Sequence, residues 1–316
     1  MRQPKIAVLL PCYNEEITIR SVVGGFLEAL PGCTVYVYDN ASSDRTAEEA
    51  GAAGAEVRTE RRRGKGNVVR RMFADVEADV YVIADGDDTY DAASAPKMVE
   101  LLAGENLDMV VATRVAAENG GTASPYPRGH RFGNWLFTRY VAVLFGNAFS
   151  DILSGYRVFS RRFVKSFPTS ASGFEIEAEL TVHSLDLGLP VDEVETPYKS
   201  RPEGSASKLG SIRDGLRILG VIVLLLKENR PILFFSSLGA VLAALSVALA
   251  VPLFITFFDT GLVPRIPTAV LSTGIMVLAF LSLACGLILD SVSRGRRENK
   301  LLRYLAQASV AESLDS

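Results

Sequence analysis

The stretch Val80-Tyr81-Val82-Ile83-Ala84-Asp85-Gly86-Asp87-Asp88 sets an apolar run directly against three clustered carboxylates. The run is rich in β-branched and aromatic side chains and reads as a strand buried on both faces, as in parallel sheets. Carboxylates gathered at its end repel one another and are costly to desolvate. Either water solvates them in an ordinary turn, or a cation sits among them. Gly86 lets the backbone bend so that Asp85 and Asp87 can approach one ion, and hard oxygen donors suit Mg2+ or Mn2+. Asp-x-Asp is common by chance, so its neighbourhood decides.

That neighbourhood repeats the same plan. Strand-like runs occupy residues 6–10, 34–38, 55–58, 79–84 and 108–112, and helical periodicity fills 15–30, 44–54, 65–77 and 95–103. Ser42 and Ser43 stand as N-cap candidates for the second helix. This βαβα order predicts an α/β fold, a mostly parallel, Rossmann-like sheet with helices on both faces. Ligands of such sheets bind beyond the carboxyl ends of the strands. Those ends carry Pro11-Cys12-Tyr13-Asn14-Glu15-Glu16, Asp39-Asn40, Asp85-Gly86-Asp87-Asp88 and Thr113-Arg114. Four strand ends thus deliver polar and acidic groups to one rim, which a set of unrelated solvated turns explains poorly.

Further along, residues 128–147 mix basic, aromatic and apolar side chains around the single tryptophan, Trp135. Asp151-Ile152-Leu153-Ser154-Gly155-Tyr156-Arg157 follows, then a helical stretch at 174–187 and a strand at 191–198. A polar loop at 199–209 leads into an amphipathic stretch, 211–231, suited to a membrane surface.

Mean hydropathy is +0.22 over 316 residues, and the apolar content is concentrated late in the chain. Residues 232–258 and 266–290 each begin with at least 24 positions free of charge. One charge at the centre of a membrane helix costs about 2.5–3.5 kcal/mol, so these runs read as two transmembrane helices rather than two core helices. Net charge is only −3, yet seven Lys/Arg against three acids lie between Lys199 and Arg230, and Arg294, Arg296, Arg297, Lys300 and Arg303 follow the second run. The positive-inside rule then places both flanks in the cytoplasm with a short external loop at 259–265. The expectation is a multi-pass protein of the inner membrane: a cytoplasmic domain at 1–210, the juxtamembrane helix, two spans and a cytoplasmic tail at 291–316. The apolar stretch at 6–10 is too short for a signal-peptide core. Three cysteines and two histidines offer no zinc-type spacing.

Taken together, Pro11-Cys-Tyr-Asn-Glu-Glu16, Asp39-Asn-Ala-Ser-Ser-Asp44, Arg63-Gly-Lys-Gly-Asn67, Asp85-Gly86-Asp87, Asp151-x-x-Ser-Gly-Tyr-Arg157 and Arg201-Pro-Glu-Gly-Ser-x-Ser-Lys-Leu209 resemble the family 2 glycosyltransferases of the GT-A fold. Within them the pattern resembles the polyprenyl-phosphate glycosyltransferases of dolichol-phosphate mannose synthase type, in their bacterial form with two C-terminal spans. The resemblance implies a nucleoside-diphosphate sugar held by Pro11, Tyr13, Glu15, Asp39, Lys65, Asp85, Gly86, Asp87, Arg201 and Lys208. It implies Mg2+ or Mn2+ on Asp85 and Asp87, with Asp88 outside the site. Arg114, Arg128, Arg131, Ser154 and Arg157 become candidates for an acceptor phosphate, because the guanidinium fork matches phosphate oxygens. Glu177 is the candidate to orient sugar hydroxyls or an arginine, so Asp87, Arg131, Arg157 and Glu177 carry the expected catalysis.

The implied reaction is inverting transfer of a monosaccharide to a polyprenyl phosphate, yielding a lipid-linked donor for lipopolysaccharide or other cell-envelope glycosylation. Galacturonate, glucose and mannose, on UDP or GDP, all stay open. A processive polysaccharide synthase requires Gln-x-x-Arg-Trp, and glutamine occurs only at positions 3 and 307. A non-catalytic binder of nucleotide sugar or lipid phosphate has no need of both the acidic pair and the arginines. No G-x-x-x-x-G-K-[ST] loop is present, and one basic run in an acidic chain argues against nucleic acid. A homo-oligomer is neither required nor forbidden.

Overall fold

The computed structural model describes residues 3–116, 149–168, 173, 175–199, 220, 223–224 and 226–315. The chain divides into two units, Met1–Ile218 with Lys300–Ser316, and Leu219–Asn299.

In the first unit seven strands form one sheet: β1 (Ile6–Cys12), β2 (Thr34–Asp39), β3 (Glu56–Thr59), β4 (Val80–Ile83), β5 (Met109–Ala116), β6 (Arg157–Ser160) and β7 (Val191–Tyr198). Their order is β3-β2-β1-β4-β6-β5-β7. All neighbouring pairs are parallel except those of β6, which runs antiparallel to both β4 and β5. The mixed, mostly parallel sheet agrees with the alternation read from the sequence. β6 does not announce itself there, since it is four residues long and opens on an arginine.

Helices cover both faces: α1 (Ile19–Ala29), α2 (Thr46–Ala52), α3 (Lys65–Asp75), α4 (Ala95–Gly104), α5 (Arg161–Ser166) and α6 (Ile176–Leu187). On one side Val8, Leu10, Val37, Val82 and Val110 pack with Val22, Phe26, Met98 and Leu102 in a single buried cluster. On the other, Phe73 meets Tyr81 and Phe159 edge-on, and Phe159 stacks towards Phe163 at 4.7 Å. Each such side chain fully removed from water contributes about 1.5–3 kcal/mol, which outweighs strand or helix propensity.

The elements begin and end where hydrogen bonds dictate. α1 starts at Ile19, not at residue 15, because Thr18 and Ile19 donate to the Glu15 carbonyl and close a turn first. The Asp44 carboxylate accepts from the Thr46 amide and hydroxyl ahead of α2, whereas Ser42 and Ser43 bond Asn14 instead of capping. β5 continues to Ala116 because β7 pairs with it over eight positions.

The second unit holds α7 (Pro231–Thr260) and most of α8 (Ile266–Leu305), both long and apolar enough to cross a membrane. Gly239, Ser246 and Leu253 of α7 are buried at seven-residue intervals, as are Ser272, Ala279 and Gly286 of α8. Small residues bring the backbones close: the Ser246 hydroxyl donates to the Ser272 carbonyl at 2.7 Å, and Ser282 to that of Phe235 at 2.9 Å. Phe254, Phe258, Phe280 and Leu287 remain more than 60% exposed, as helices facing lipid do. α8 extends past residue 290, where the second span was expected to end, because the charged segment continues the helix with an Asp290–Arg294 pair at 3.0 Å. Its last turn and α9 (Val310–Asp315) belong to the first unit. There the Tyr304 hydroxyl donates to Asp108 at 2.8 Å, Arg162 lies 4.9 Å from the Tyr304 ring, and Val310 enters the buried cluster.

Candidate active site

The loops after β1 and β2 are stitched together. The Asn14 amide donates to Ser42 at 2.9 Å, its side-chain oxygen accepts from the Ser43 amide, and the Glu15 amide donates to the Thr46 hydroxyl. Asp39 is buried and accepts from the Ser42 amide through both oxygens at 3.2–3.3 Å. Pro11 lies inside β1, in register with Tyr38. Arg63 stands 5.1 Å from the centre of the Tyr13 ring. Asn40 had no assigned role, yet it anchors the whole basic turn. Its amide donates to the carbonyls of Glu60 and Arg62, and its oxygen accepts from the Gly64 amide at 2.7 Å. Asn followed by Ser and Asp at a strand end was the signal available for it.

The acidic loop after β4 is equally well held. The Thr18 hydroxyl donates to the Gly86 carbonyl at 2.7 Å, and Asp87, 3% exposed, accepts from the Thr89 hydroxyl at 2.6 Å. A Cβ on Gly86 would come 2.6 Å from the Cys12 sulfur, so any other residue there displaces the loop. Asp88 adopts φ 57° and accepts from the Ser21 hydroxyl at 3.3 Å.

Lys65, the first residue of α3, is the centre of the charge arrangement. Its ammonium lies 2.5 Å from Asp85 and 2.6 Å from Glu177. Burial alone would push this lysine down, but the two carboxylate charges and their hydrogen bonds more than reverse that and hold it above its ordinary value. Lys65 is therefore cationic throughout the physiological range. Glu177 pairs with this lysine rather than with an arginine, and its second oxygen is buried without a hydrogen-bond partner. The backbone of Gly155 completes the cradle: a Cβ there would sit 2.7 Å from Asp85 Oδ2 and 3.0 Å from Lys65 Nζ.

Arg157, expected at the acceptor phosphate, turns into the protein. It is 1% exposed, and its guanidinium donates to the Ser154 carbonyl at 2.9 Å, the Ile152 carbonyl at 2.5 Å and the Thr181 hydroxyl at 2.9 Å. Burial pushes it down to about 10, which still leaves it charged. With its three nitrogens bound to protein it serves as the strut of the 151–155 loop. Ser154 is fully buried and accepts from the Tyr156 amide. The loop is pinned from above as well, since the Gly155 amide donates to Tyr90 and Glu193 accepts from Ser150 and Asp151. Arg114 forms a two-pronged pair with Asp151 at 2.7 and 2.8 Å. Arg128, Arg131, Arg201 and Lys208, with most of the 211–231 stretch, lie outside the described residues.

Among the described residues no group of three or more His, Cys, Asp or Glu gathers into a metal cage. The residues nonetheless fit a divalent ion that takes its remaining ligands from a diphosphate. Asp85 and Asp87 are hard oxygen donors, glycine at 155 puts no side chain against Asp85 Oδ2, and an ammonium already occupies a cationic position beside Asp85 Oδ1.

Residues 7–167 match the family described as Glycosyl transferase family 2. The glycosyltransferase AglJ of Haloferax volcanii is 37% identical over 250 residues, covering 78% of this chain and 80% of that protein. A dolichyl-phosphate hexose transferase of the same organism is 30% identical over 71% of this chain and 95% of its own length. Among solved structures, a Mycobacterium tuberculosis glucosyl-3-phosphoglycerate synthase in complex with Mn2+, UDP-glucose and phosphoglyceric acid aligns with a TM-score of 0.54 and 27% identity, over 71% of this chain and 79% of that one. The chain belongs to glycosyl transferase family 2, and the protein is a glycosyltransferase with a GT-A fold.

Proposed function

We propose that the protein transfers a single sugar, with inversion, from a nucleoside diphosphate to a polyprenyl phosphate at the cytoplasmic face of the inner membrane. The observation that carries this reading is the union, in one chain, of the Asp85–Lys65–Glu177 arrangement with two helices long and apolar enough to span a bilayer. A diphosphate donor needs cationic charge at the strand ends, and a polyprenyl acceptor needs an enzyme that stays at the membrane. The similarity to a dolichyl-phosphate hexose transferase points the same way. The basic flanks of the apolar helices support the cytoplasmic orientation.

In this reading Tyr13, Glu15 and Asp39 hold the nucleoside beside Pro11, and the Asp39 carboxylate accepts from an imide N–H of uracil or guanine. Lys65 directs its charge at the diphosphate, while Glu177 steadies the lysine. Asp85 and Asp87 hold a divalent ion, which when bound neutralises charge on the departing diphosphate. Arg128 and Arg131 receive the acceptor phosphate, and Arg114 joins them on leaving Asp151. Arg201 and Lys208 close over the donor and exclude water that would hydrolyse it. A general base is dispensable: a phosphate monoester has a second pKa near 6, so the acceptor is mostly dianionic and already nucleophilic at neutral pH. The work left to the protein is positioning and charge stabilisation.

The test is transfer of labelled sugar. Detergent-purified protein with polyprenyl phosphate and Mg2+ or Mn2+ receives UDP- and GDP-linked glucose, galacturonate and mannose in turn. One donor should label the lipid phase, and Asp87→Asn should reduce that label at least a hundredfold, the scale on which single electrostatic groups act. Equal transfer by Asp87→Asn would overturn the site assignment.

A further inference from the structure

We infer that Lys65 is the site's exchangeable counter-cation: it occupies Asp85 until a nucleoside diphosphate draws it away, so that divalent ion and donor bind as an interdependent pair. The inference rests on the assignment of Asp85 to the metal made above. Its evidence is geometric. The Lys65 ammonium is 2.5 Å from Asp85 Oδ1, so a divalent ion taking either oxygen of that carboxylate meets the repulsion of a cation a few ångströms away. The same ammonium is 2.6 Å from Glu177, whose side chain is 8% exposed and reaches no other hydrogen-bond partner through its second oxygen. Lys65 therefore has two anchors of unequal kind. Asp85 lies on the open rim with its side chain 31% exposed, while Glu177 lies inside.

These anchors set the order of events. With no nucleotide present, an arriving ion must compete with a buried, strongly held ammonium for Asp85, and its affinity is lowered accordingly. A diphosphate offers the ammonium another anion. Glu177 keeps the lysine charged and within reach as it swings, because one of its carboxylate partners stays in place throughout. Asp85 is then released, and Asp85 and Asp87 would together be available to hold a divalent ion beside the diphosphate. Gly155 makes the exchange sterically possible, since any side chain there would occupy the space between Asp85 and Lys65. A site wired in this way does not accumulate metal without donor, and does not hold donor firmly without metal. The alternative is that Lys65 is a fixed strut that keeps Asp85 in its metal-binding pose.

The two ideas predict opposite signs in a binding experiment that needs no turnover. Mn2+ binding to the full-length protein in detergent is followed by the paramagnetic resonance signal of free Mn2+, with and without UDP or GDP. Wild type, Lys65→Met, Lys65→Gln and Asp85→Asn are compared, with thermal unfolding as the check on folding. Exchange predicts that both lysine variants bind Mn2+ alone about tenfold more tightly than wild type, the equivalent of about 1.4 kcal/mol. It also predicts that the enhancement of Mn2+ affinity by nucleotide, large in wild type, shrinks by a similar factor in both. Unchanged or weaker Mn2+ affinity in folded Lys65→Met and Lys65→Gln, with Asp85→Asn abolishing binding, overturns the exchange and leaves the metal site standing. Mn2+ binding that is indifferent to Asp85→Asn overturns the metal assignment and the exchange with it.

Discussion

At the scale of single residues, chemistry and burial together decide which polar groups serve a ligand and which serve the fold. Lys65 and Arg157 are both deeply buried cations next to the same loop, yet they differ in their partners. Lys65 pairs with two carboxylates, one of them on the open rim, whereas Arg157 spends its donors on backbone carbonyls and Thr181. The sequence shows an arginine after Ser-Gly-Tyr but not that its guanidinium turns inwards, since that depends on β6 lying between β4 and β5. The placement of Asp85, Gly86 and Asp87 at the end of a buried strand was legible because strand and loop are adjacent in sequence. Asn40 and Thr18 were not, because their partners at 60–64 and 86 are brought near only by the sheet. Replacing Arg157 by methionine strands the carbonyls of Ile152 and Ser154, and stability should fall by about 3 kcal/mol or more. Denaturant unfolding measures this; unchanged stability with weakened lipid-phosphate binding would return Arg157 to the acceptor.

At the scale of elements, α6 carries a second kind of buried group. His183 is 2% exposed, its Nε2 lies 3.1 Å from the Ser166 hydroxyl, and its Nδ1 has no hydrogen-bond partner. Phe163 and Phe167 meet the ring edge-on. Burial, with a smaller push from the Lys300 charge, lowers this histidine to about 3. The folded protein thus keeps it neutral at pH values where the unfolded chain, with an ordinary histidine near 6.5, is protonated. Stability from this group is complete above about pH 6.5 and declines as pH falls, by up to about 1.4 kcal/mol per pH unit. His183→Gln should flatten the acid limb of a stability profile measured between pH 7 and 4; an identical slope in the variant would exclude the histidine as its source. Helix and strand identities in this region followed from periodicity, but boundaries shifted by two to four residues wherever a turn absorbed the first hydrogen bonds. α1 and α2 are the clearest cases.

At the scale of the whole molecule, the apolar helices were the most legible part of the sequence and the segment after them the least. A charge-free run of more than 20 residues has one economical environment. Residues 300–315, by contrast, look like a loose charged tail, and only their partners in the first unit give them structure. Asp108 is fully buried and satisfied by Ser160 at 2.6 Å, by Arg162 and by Tyr304, so the tail completes a charge cluster at the start of β5. Truncation after Asn299 removes Tyr304 and the buried Val310, and should lower catalytic-unit stability by roughly 2–4 kcal/mol, as a lost buried hydrogen bond and side chain do. Differential scanning of the truncated and full chains measures it, and identical midpoints would mean the tail is not part of that unit. The nature of the acceptor governs the reading of the entire chain, because the spans matter to catalysis only if the acceptor is a lipid. The measurement to make is transfer from one labelled nucleotide sugar to polyprenyl phosphate and 3-phosphoglycerate offered together, with wild type beside Asp87→Asn. Label confined to the lipid phase, and lost in the variant, is the predicted result. Label in the aqueous phosphoglycerate product, with none in the lipid, would contradict it.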